Sequence, residues 1–416
     1  MRQYEITTGG QFFYGALGSS LGMVTGLYQM KDPIDRAALQ RAVDITMPRF
    51  PYFRVRPEVE NGRYVLRQND APFSVFVSRE PIPPGDERAN RHLFTFGCYD
   101  DTIWFGFFTG LLDGLGHYRI VQSVLYHYCL YRYGGPLQSQ GLFDLLAEPD
   151  PAEYADPFSF ARMPENAGAL SLPQEAFVLP EPRVPSGASQ TLYTIDMPQS
   201  AFVKYTKSVD GSPAVMSALF LCRAIDRVHP EHEKPVMVQM PTDMRGALGC
   251  RRTAQYSIEP IYLYYDERLK RMPLDRQATS FRGMVFVQSD PDQLMASFAR
   301  RAELYRSLGS IESLEGKRLA LHMDDSLALT PKTSYMGKLD MGDIEQYRRR
   351  FTCTDDASRS GLMLETFTAG DTITLNLMSA VETDAYYQAL LAELKEAGVE
   401  HHPSSPAHYV PMRRTF

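Results

Sequence analysis

The stretch that decides the reading of this chain runs Phe107-Phe108-Thr109-Gly110-Leu111-Leu112-Asp113-Gly114-Leu115-Gly116-His117-Tyr118 and continues RIVQSVLYHY to Tyr128. Its opening residues close the uncharged, β-rich run Thr102–Phe108, which reads as a strand. From about Leu115 to Arg132 the pattern changes to a helical one, with Val121, Val124, Leu125 and Tyr128 on one apolar face. Asp113 and Gly114 therefore sit at a strand-to-helix junction, where a glycine permits a tight turn.

Upstream, Val24–Met30 reads as a strand, followed by a helix whose buried face is Leu39, Val43, Met47 and Phe50. Phe53–Val59 and Tyr64–Gln68 flank Glu60-Asn61-Gly62, and Asn-Gly between two such runs is a strong hairpin signal. Leu93–Cys98 and Thr102–Phe108 form a second hairpin across Tyr99-Asp100-Asp101. Between Ala147 and Ala188 lie eight of the chain's 29 prolines, which break helices and central strands. That segment reads as a crossover linker, giving an N-terminal lobe at 1–146, a linker at 147–188 and a C-terminal lobe at 189–416.

The second lobe restarts with a strand at Gln190–Met197 and a helix from Pro198 to about Val209. Ser212-Pro213 then opens the helix Ala214–His229 with an N-cap and a proline at the first position. Pro235–Pro241 and Tyr256–Tyr265 read as strands, Pro291–Leu308 and Ile311–Leu327 as helices. Leu362–Phe367 and Thr372–Met378 form a hairpin around Ala369-Gly370-Asp371, and Thr383–Ala397 is a last helix. The segment from His401 is expected to be peripheral. The fold class is α/β (α+β): two lobes, each a mixed sheet with covering helices.

Composition narrows the function. The 416 residues are 44% hydrophobic and 22% charged, ordinary for a soluble globular chain. A net charge of −7 argues against a broad nucleic-acid binder. Residues 6–30 are uncharged but hold six glycines, too polar for a spanning helix, so no membrane span and a cytoplasmic location are expected. The five cysteines form no C-x-x-C pair and read as free buried thiols. There is no G-x-S-x-G elbow, no Walker loop and no G-x-G-x-x-G. His322 beside Asp324 and Asp325 is a poor metal set, because adjacent aspartates do not share a helix face, and no metal is expected. The basic runs Arg251-Arg252, Arg300-Arg301 and Arg348–Arg350 could contact a ligand's phosphates, but solvated helix or loop faces are the favoured reading.

Four segments, in order, resemble the chloramphenicol acetyltransferase-like and condensation-domain superfamily of CoA-dependent acyltransferases. Phe107–Tyr128 lies where that family places HHxxxDG. Val236–Gly246 (VMVQMPTDMRG) is similar to its strand ending in a Pro-x-Asp-x-Arg turn. Ser334–Asp343 (SYMGKLDMGD) resembles its Ser-Asn-x-Gly crossover strand, expected to pass from the second lobe to the first. Leu27–Arg56 resembles its opening strand and helix. The Asp-Gly-x-Gly with a Leu-Tyr-x-Tyr helix is closest to the bacterial alcohol-acetyltransferase-like branch.

The resemblance implies an active-site tunnel between two lobes. The acyl donor would be an acyl-CoA or acyl-carrier thioester, and the acceptor a small alcohol or amine, or else the chain would bind a carrier or partner protein. No covalently bound cofactor is implied. The family's base is the second histidine of HHxxxDG, and here that slot is Thr109, preceded by Phe108. A threonine hydroxyl is no base at neutral pH, and losing a positioned general base costs about 10²–10⁴-fold. Asp113 and Gly114 are kept; in the family the aspartate is structural, and Arg245 is its expected partner. His117, four residues after Asp113, is the candidate replacement base, and the alternative, favoured by the usual partial burial of histidine, is a helix residue satisfied locally. Phe108 and Ser334 are expected to line the tunnel. The alternative is a family member that has lost catalysis and serves as a binding or recruitment module.

Overall fold

A computed structural model of the chain describes all residues except 1, 2, 5, 7, 16, 17, 140, 141, 166, 167, 169–171, 174 and 324–330, together with the side chains at 322 and 323. The His322 cluster considered above lies outside the described residues.

The first lobe is built on a five-stranded sheet. Strands β2 (Met23–Met30), β5 (Val75–Val77), β6 (Phe94–Tyr99), β7 (Thr102–Phe108) and β12 (Arg348–Thr354) lie in the order β12-β2-β7-β6-β5. Helices α2 (Arg36–Thr46) and α3 (Gly114–Tyr133) bury their apolar faces in the same core as Phe94, Phe96 and Phe105. Beside this sheet, β1 (Gln3–Tyr4), β3 (Val55–Glu60) and β4 (Arg63–Gln68) form a three-stranded one. The β3–β4 turn has positive φ at both Asn61 and Gly62, as a two-residue hairpin of this hand requires.

The second lobe holds an eight-stranded sheet with strands β8 (Gln190–Pro198), β9 (Val236–Asp243), β10 (Ile258–Tyr265), β11 (Lys332–Lys338), β13 (Leu362–Ala369), β14 (Thr372–Ser379), β15 (His402–Pro403) and β16 (Ala407–Tyr409). The order is β10-β9-β11-β13-β14-β8-β15, with β16 also paired to β8. Leu362 and Leu364 of β13, with Ile373, Leu375 and Leu377 of β14, join helix Pro213–Val228 and helix Ala385–Glu396 in a second core. The alternate residues Met363, Glu365 and Phe367 face the other way, toward the first lobe, where Phe367 meets Phe351 of β12 at 4.7 Å between ring centres. Helix Pro213–Val228 begins as the sequence implies: the Ser212 hydroxyl accepts the Val215 amide and Pro213 takes the first turn.

Three expectations are corrected, and one helix lies where none was expected. The strand that passes to the first lobe is Arg348–Thr354, paired antiparallel to β2, whereas the Ser334 strand stays in the second sheet beside β13 and β9. Both are short apolar–polar runs, and only long-range pairing distinguishes them. The segment after His401 is not peripheral. It adds two short strands to β8, and then Arg414, 2% exposed, donates to the Phe12 carbonyl and the Tyr64 hydroxyl while Phe416 packs edge-on against Phe108. Nor are the basic runs all solvated. Arg301 donates to the Ile258 carbonyl and pairs with Glu259 at 2.8 Å, and Arg348 is buried beside Glu345. Finally, Leu274–Gln288 is a helix that its weak apolar pattern concealed.

All five cysteines are free and buried. No described helix is long and apolar enough to cross a membrane, and no group of three or more metal-ligating side chains lies among the described residues.

Candidate active site

The loop from Phe108 to Asp113 leaves β7 at the seam between the lobes. Thr109 donates its amide to the Gly22 carbonyl at 2.7 Å, and its side chain is half-buried. Gly110 follows, with Gly9 packed so closely that a Cβ on Gly9 would meet the Gly110 carbonyl oxygen at 2.4 Å. Asp113 caps α3, accepting the Gly116 amide at 3.0 Å on Oδ1. The same oxygen accepts Arg245 Nη2 at 2.8 Å, and Oδ2 accepts the Ser257 amide at 2.9 Å.

The sequence paired Asp113 with Arg245, and the two meet with both side chains about 96% buried. Arg245 is fully engaged. Its Nε donates to the Thr253 carbonyl, Nη1 to Asp243, and Nη2 to the Gln255 carbonyl as well as to Asp113. A buried guanidinium needs such saturation to offset its desolvation. The pair ties the start of α3 in the first lobe to the 243–257 segment of the second.

Gly114 does not have the role expected of it. Its φ is not in the left-handed region, and a Cβ there would only touch Met336 Cε at 3.4 Å. The glycine this junction requires is Gly116, where a Cβ would lie 2.0 Å from the Ala254 carbonyl oxygen. The contact is between lobes and 138 residues apart in sequence, so local patterning carried no signal of it.

His117 does not reach the Thr109 loop as a free base. It stacks on Phe107 at 4.0 Å and on Phe94 at 5.5 Å between ring centres, pressed by α3 onto the first sheet. Burial pushes its pKa down to about 3, so the ring is neutral, and its Nε2 has no partner among the described residues. Phe108 is likewise a core residue, fully buried with edge-on contacts to Phe13 and Phe416. It packs inside the first lobe.

Ser334 leads to a residue that the sequence reading missed. It is in register with Glu365 on the neighbouring strand, and its hydroxyl lowers that carboxyl's affinity for a proton. Glu365 is 7% exposed, its Oε2 has no partner among the described residues, and burial pushes its pKa up to about 8. A glutamate within the otherwise apolar and β-branched strand Leu362–Ala369 was the available signal.

Beside Asp113 and Arg245 a cleft of about 440 Å³ opens between α3 and the turn after β9. Leu115, Tyr118 and Arg119 line one side, and Asp243, Gly246 and Arg251 the other. Arg119 donates to the carbonyls of Arg251 and Arg252.

This arrangement was compared with known proteins. No family model matches the sequence, and no curated protein matches it. Solved structures do match, over nearly the full length. TRI101 of F. sporotrichioides, complexed with coenzyme A and T-2, superposes with a TM-score of 0.62 at 11% identity, covering 97% of this chain and 100% of that one. Polyketide synthase associated protein 5 of Mycobacterium tuberculosis gives 0.60 at 12%, covering 96% and 98%. The first condensation domain of the CDA synthetase gives 0.57 at 12%, covering 95% and 94%.

The chain has the fold of the CoA-dependent acyltransferases and condensation domains.

Proposed function

We propose that this chain is an acyltransferase-like protein that moves an acyl group from a CoA or carrier thioester to a small alcohol or amine held between its lobes. The observation that carries this reading is the Asp113–Arg245 tie at the end of β7, kept intact within a fold matched from end to end by a structure holding coenzyme A. In this reading Asp113 and Arg245 hold the loop, Thr109 occupies the histidine slot, and the cleft with Arg119 and Arg251 admits the anionic donor. Arginines suit phosphate because the guanidinium fork matches its oxygens. Thr109 contributes at most a hydrogen bond, so the proton is taken by another group.

The test is release of free thiol from acetyl-CoA and octanoyl-CoA, with 1-butanol or butylamine as acceptor, followed by mass detection of the ester or amide. Acceptor-dependent product supports the reading.

A second reading, a member that binds without turnover, is favoured by one observation: both aromatic residues and the histidine near the slot are committed to packing, Phe108 on Phe13 and Phe416, His117 on Phe107. Tight binding of acyl-CoA or of a carrier protein with no product would select it.

A further inference from the structure

Four polar residues form one continuous row across the second sheet. Ser334 of β11 is in register with Glu365 of β13, Glu365 with Asn376 of β14, and Asn376 with Thr194 of β8. Direct cross-strand partners share a face, and this face looks toward the first lobe, as the Phe367–Phe351 contact two residues along β13 shows. Thr194 donates to Asn376 Oδ1 at 3.1 Å, and Ser334 sits beside Glu365 in register, where its hydroxyl lowers the carboxyl's affinity for a proton.

Two atoms in the row are left over. Glu365 Oε2 and Asn376 Nδ2 are both buried with no partner among the described residues. One is an acceptor and the other a donor, on adjacent strands at the same register position. Leaving either unmade costs on the order of 1–3 kcal/mol, so a pair of them marks a place built for something that both donates and accepts. A hydroxyl does both: its hydrogen suits Glu365 and its oxygen suits the Asn376 amide. The row lies near the Asp113 loop, since a Cβ added at Gly114 would lie 3.4 Å from Cε of Met336, two residues beyond Ser334.

We propose that Glu365 is the general base of this chain, taking the acceptor's proton in place of a histidine at position 109, with Asn376 holding the acceptor oxygen. The inference rests on the acyl-transfer reading and names the group that does its proton chemistry. The step balances within donor, acceptor and protein. The acceptor O–H bond breaks and its proton passes to the Glu365 carboxylate, while the freed oxygen pair bonds to the thioester carbonyl carbon. The carbon–sulfur bond then breaks, and the departing thiolate takes the proton back from Glu365 to leave as a thiol. The products are an ester and a free thiol, with Glu365 restored.

The surroundings suit the task. The groups facing Glu365 are Ser334 of β11, Cys353 of β12 and Asp355 just beyond β12; Lys332 of β11 acts on Asp355, and Asp196 of β8, further along the face, is held by Thr374 and Arg350. The negative Asp355 and the dry setting strengthen the carboxylate's hold on a proton, and the Ser334 hydroxyl moderates it. A base is most effective when it titrates near the working pH. Phe351 of β12 packs against Phe367 beside the row.

The experiment measures acetyl-CoA and octanoyl-CoA turnover with 1-butanol from pH 5 to 10, in wild type, Glu365→Gln and Ser334→Ala. The expected wild-type profile rises with pH and levels near pH 8. Glu365→Gln keeps the shape and the Ser334 contact but cannot take a proton, so turnover drops about 10²–10⁴-fold. Ser334→Ala shifts the rising limb to higher pH, a change that a merely structural role would not produce. A circular-dichroism melt of each variant shows that it folds. Turnover by wild type that survives in folded Glu365→Gln overturns the assignment and leaves the acyl-transfer reading standing. A wild type that releases no thiol with any donor overturns both.

Discussion

Arg245 Nη2 and Asp113 Oδ1 meet at 2.8 Å across the seam between the lobes, 132 residues apart, and each side chain is about 4% exposed or less. Because Asp113 also caps α3 and accepts the Ser257 amide, one carboxylate fixes the helix start, the loop from β7 and the second lobe together.

Removing one partner leaves the other charge buried and unpaired. Arg245→Met or Asp113→Ala is therefore expected to destabilise the protein by about 3–5 kcal/mol, read as a lower midpoint in chemical denaturation. A midpoint unchanged by either variant would show that the seam does not depend on this pair.

The two glycines after Asp113 should behave oppositely. Gly114→Ala adds a methyl against the flexible end of Met336 and removes backbone freedom from the unfolded chain, so stability should hold or rise by up to about 1 kcal/mol. Gly116→Ala drives a methyl into the Ala254 carbonyl and should cost about 1–3 kcal/mol by overpacking. Equal thermal midpoints for the two variants would contradict the packing described here.

Thr109 sits on a loop, half-buried, with its backbone rather than its side chain in the hydrogen bond to Gly22. Thr109→His should change stability by no more than about 1 kcal/mol. If the slot still faces bound substrate, the new imidazole raises thiol release by up to roughly 10²–10⁴-fold. A variant that fails to fold would place Thr109 in the packing, not the site.

His117 gives a prediction in pH. Its folded pKa, pushed down to about 3 by burial, lies below the ordinary histidine value, so between the two the unfolded chain binds a proton that the folded chain does not. Stability is thus present above about pH 6.5 and is lost as pH falls toward 3. His92, whose pKa burial depresses to about 4, adds to the same trend. His117→Phe keeps the stack on Phe107 and should flatten part of the acid loss, on the order of a few kcal/mol between pH 7 and 4. Urea midpoints measured across that range decide it; an unchanged slope in the variant would sink the idea. The same variant should leave thioester turnover between pH 6 and 9 unaltered if His117 is no base.

Arg414 offers a last test. Its guanidinium is buried among the Phe12 carbonyl, the Tyr64 hydroxyl and the Phe416 carbonyl, and burial pushes its pKa down. Arg414→Ala strands these acceptors and loosens the Phe416–Phe108 contact, which should cost about 2–4 kcal/mol. A thermal midpoint equal to wild type would mean that the segment is dispensable.

The sequence by itself determined what is local. An uncharged β-rich run placed β7, turn-bounded β-rich runs placed β13 and β14, a 3.6-residue period placed α3, and Asn61-Gly62 forced its hairpin, because each signal is written within a short stretch of backbone. Motif order was enough to reach the two-lobed fold and to pair Asp113 with Arg245. Tertiary structure decided what depends on distant neighbours. Arg348–Thr354 rather than the Ser334 strand joins the first sheet, since edge pairing is a competition that no single strand records. His117 is a packed ring and not a free base, because α3 turns it onto Phe94 and Phe107. Gly116, not Gly114, is the constrained glycine, because Ala254 comes from the other lobe. Glu365 gains its character only from burial beside Ser334 and Asn376, since a carboxyl's affinity for a proton is set by the solvent and dipoles that the fold puts around it.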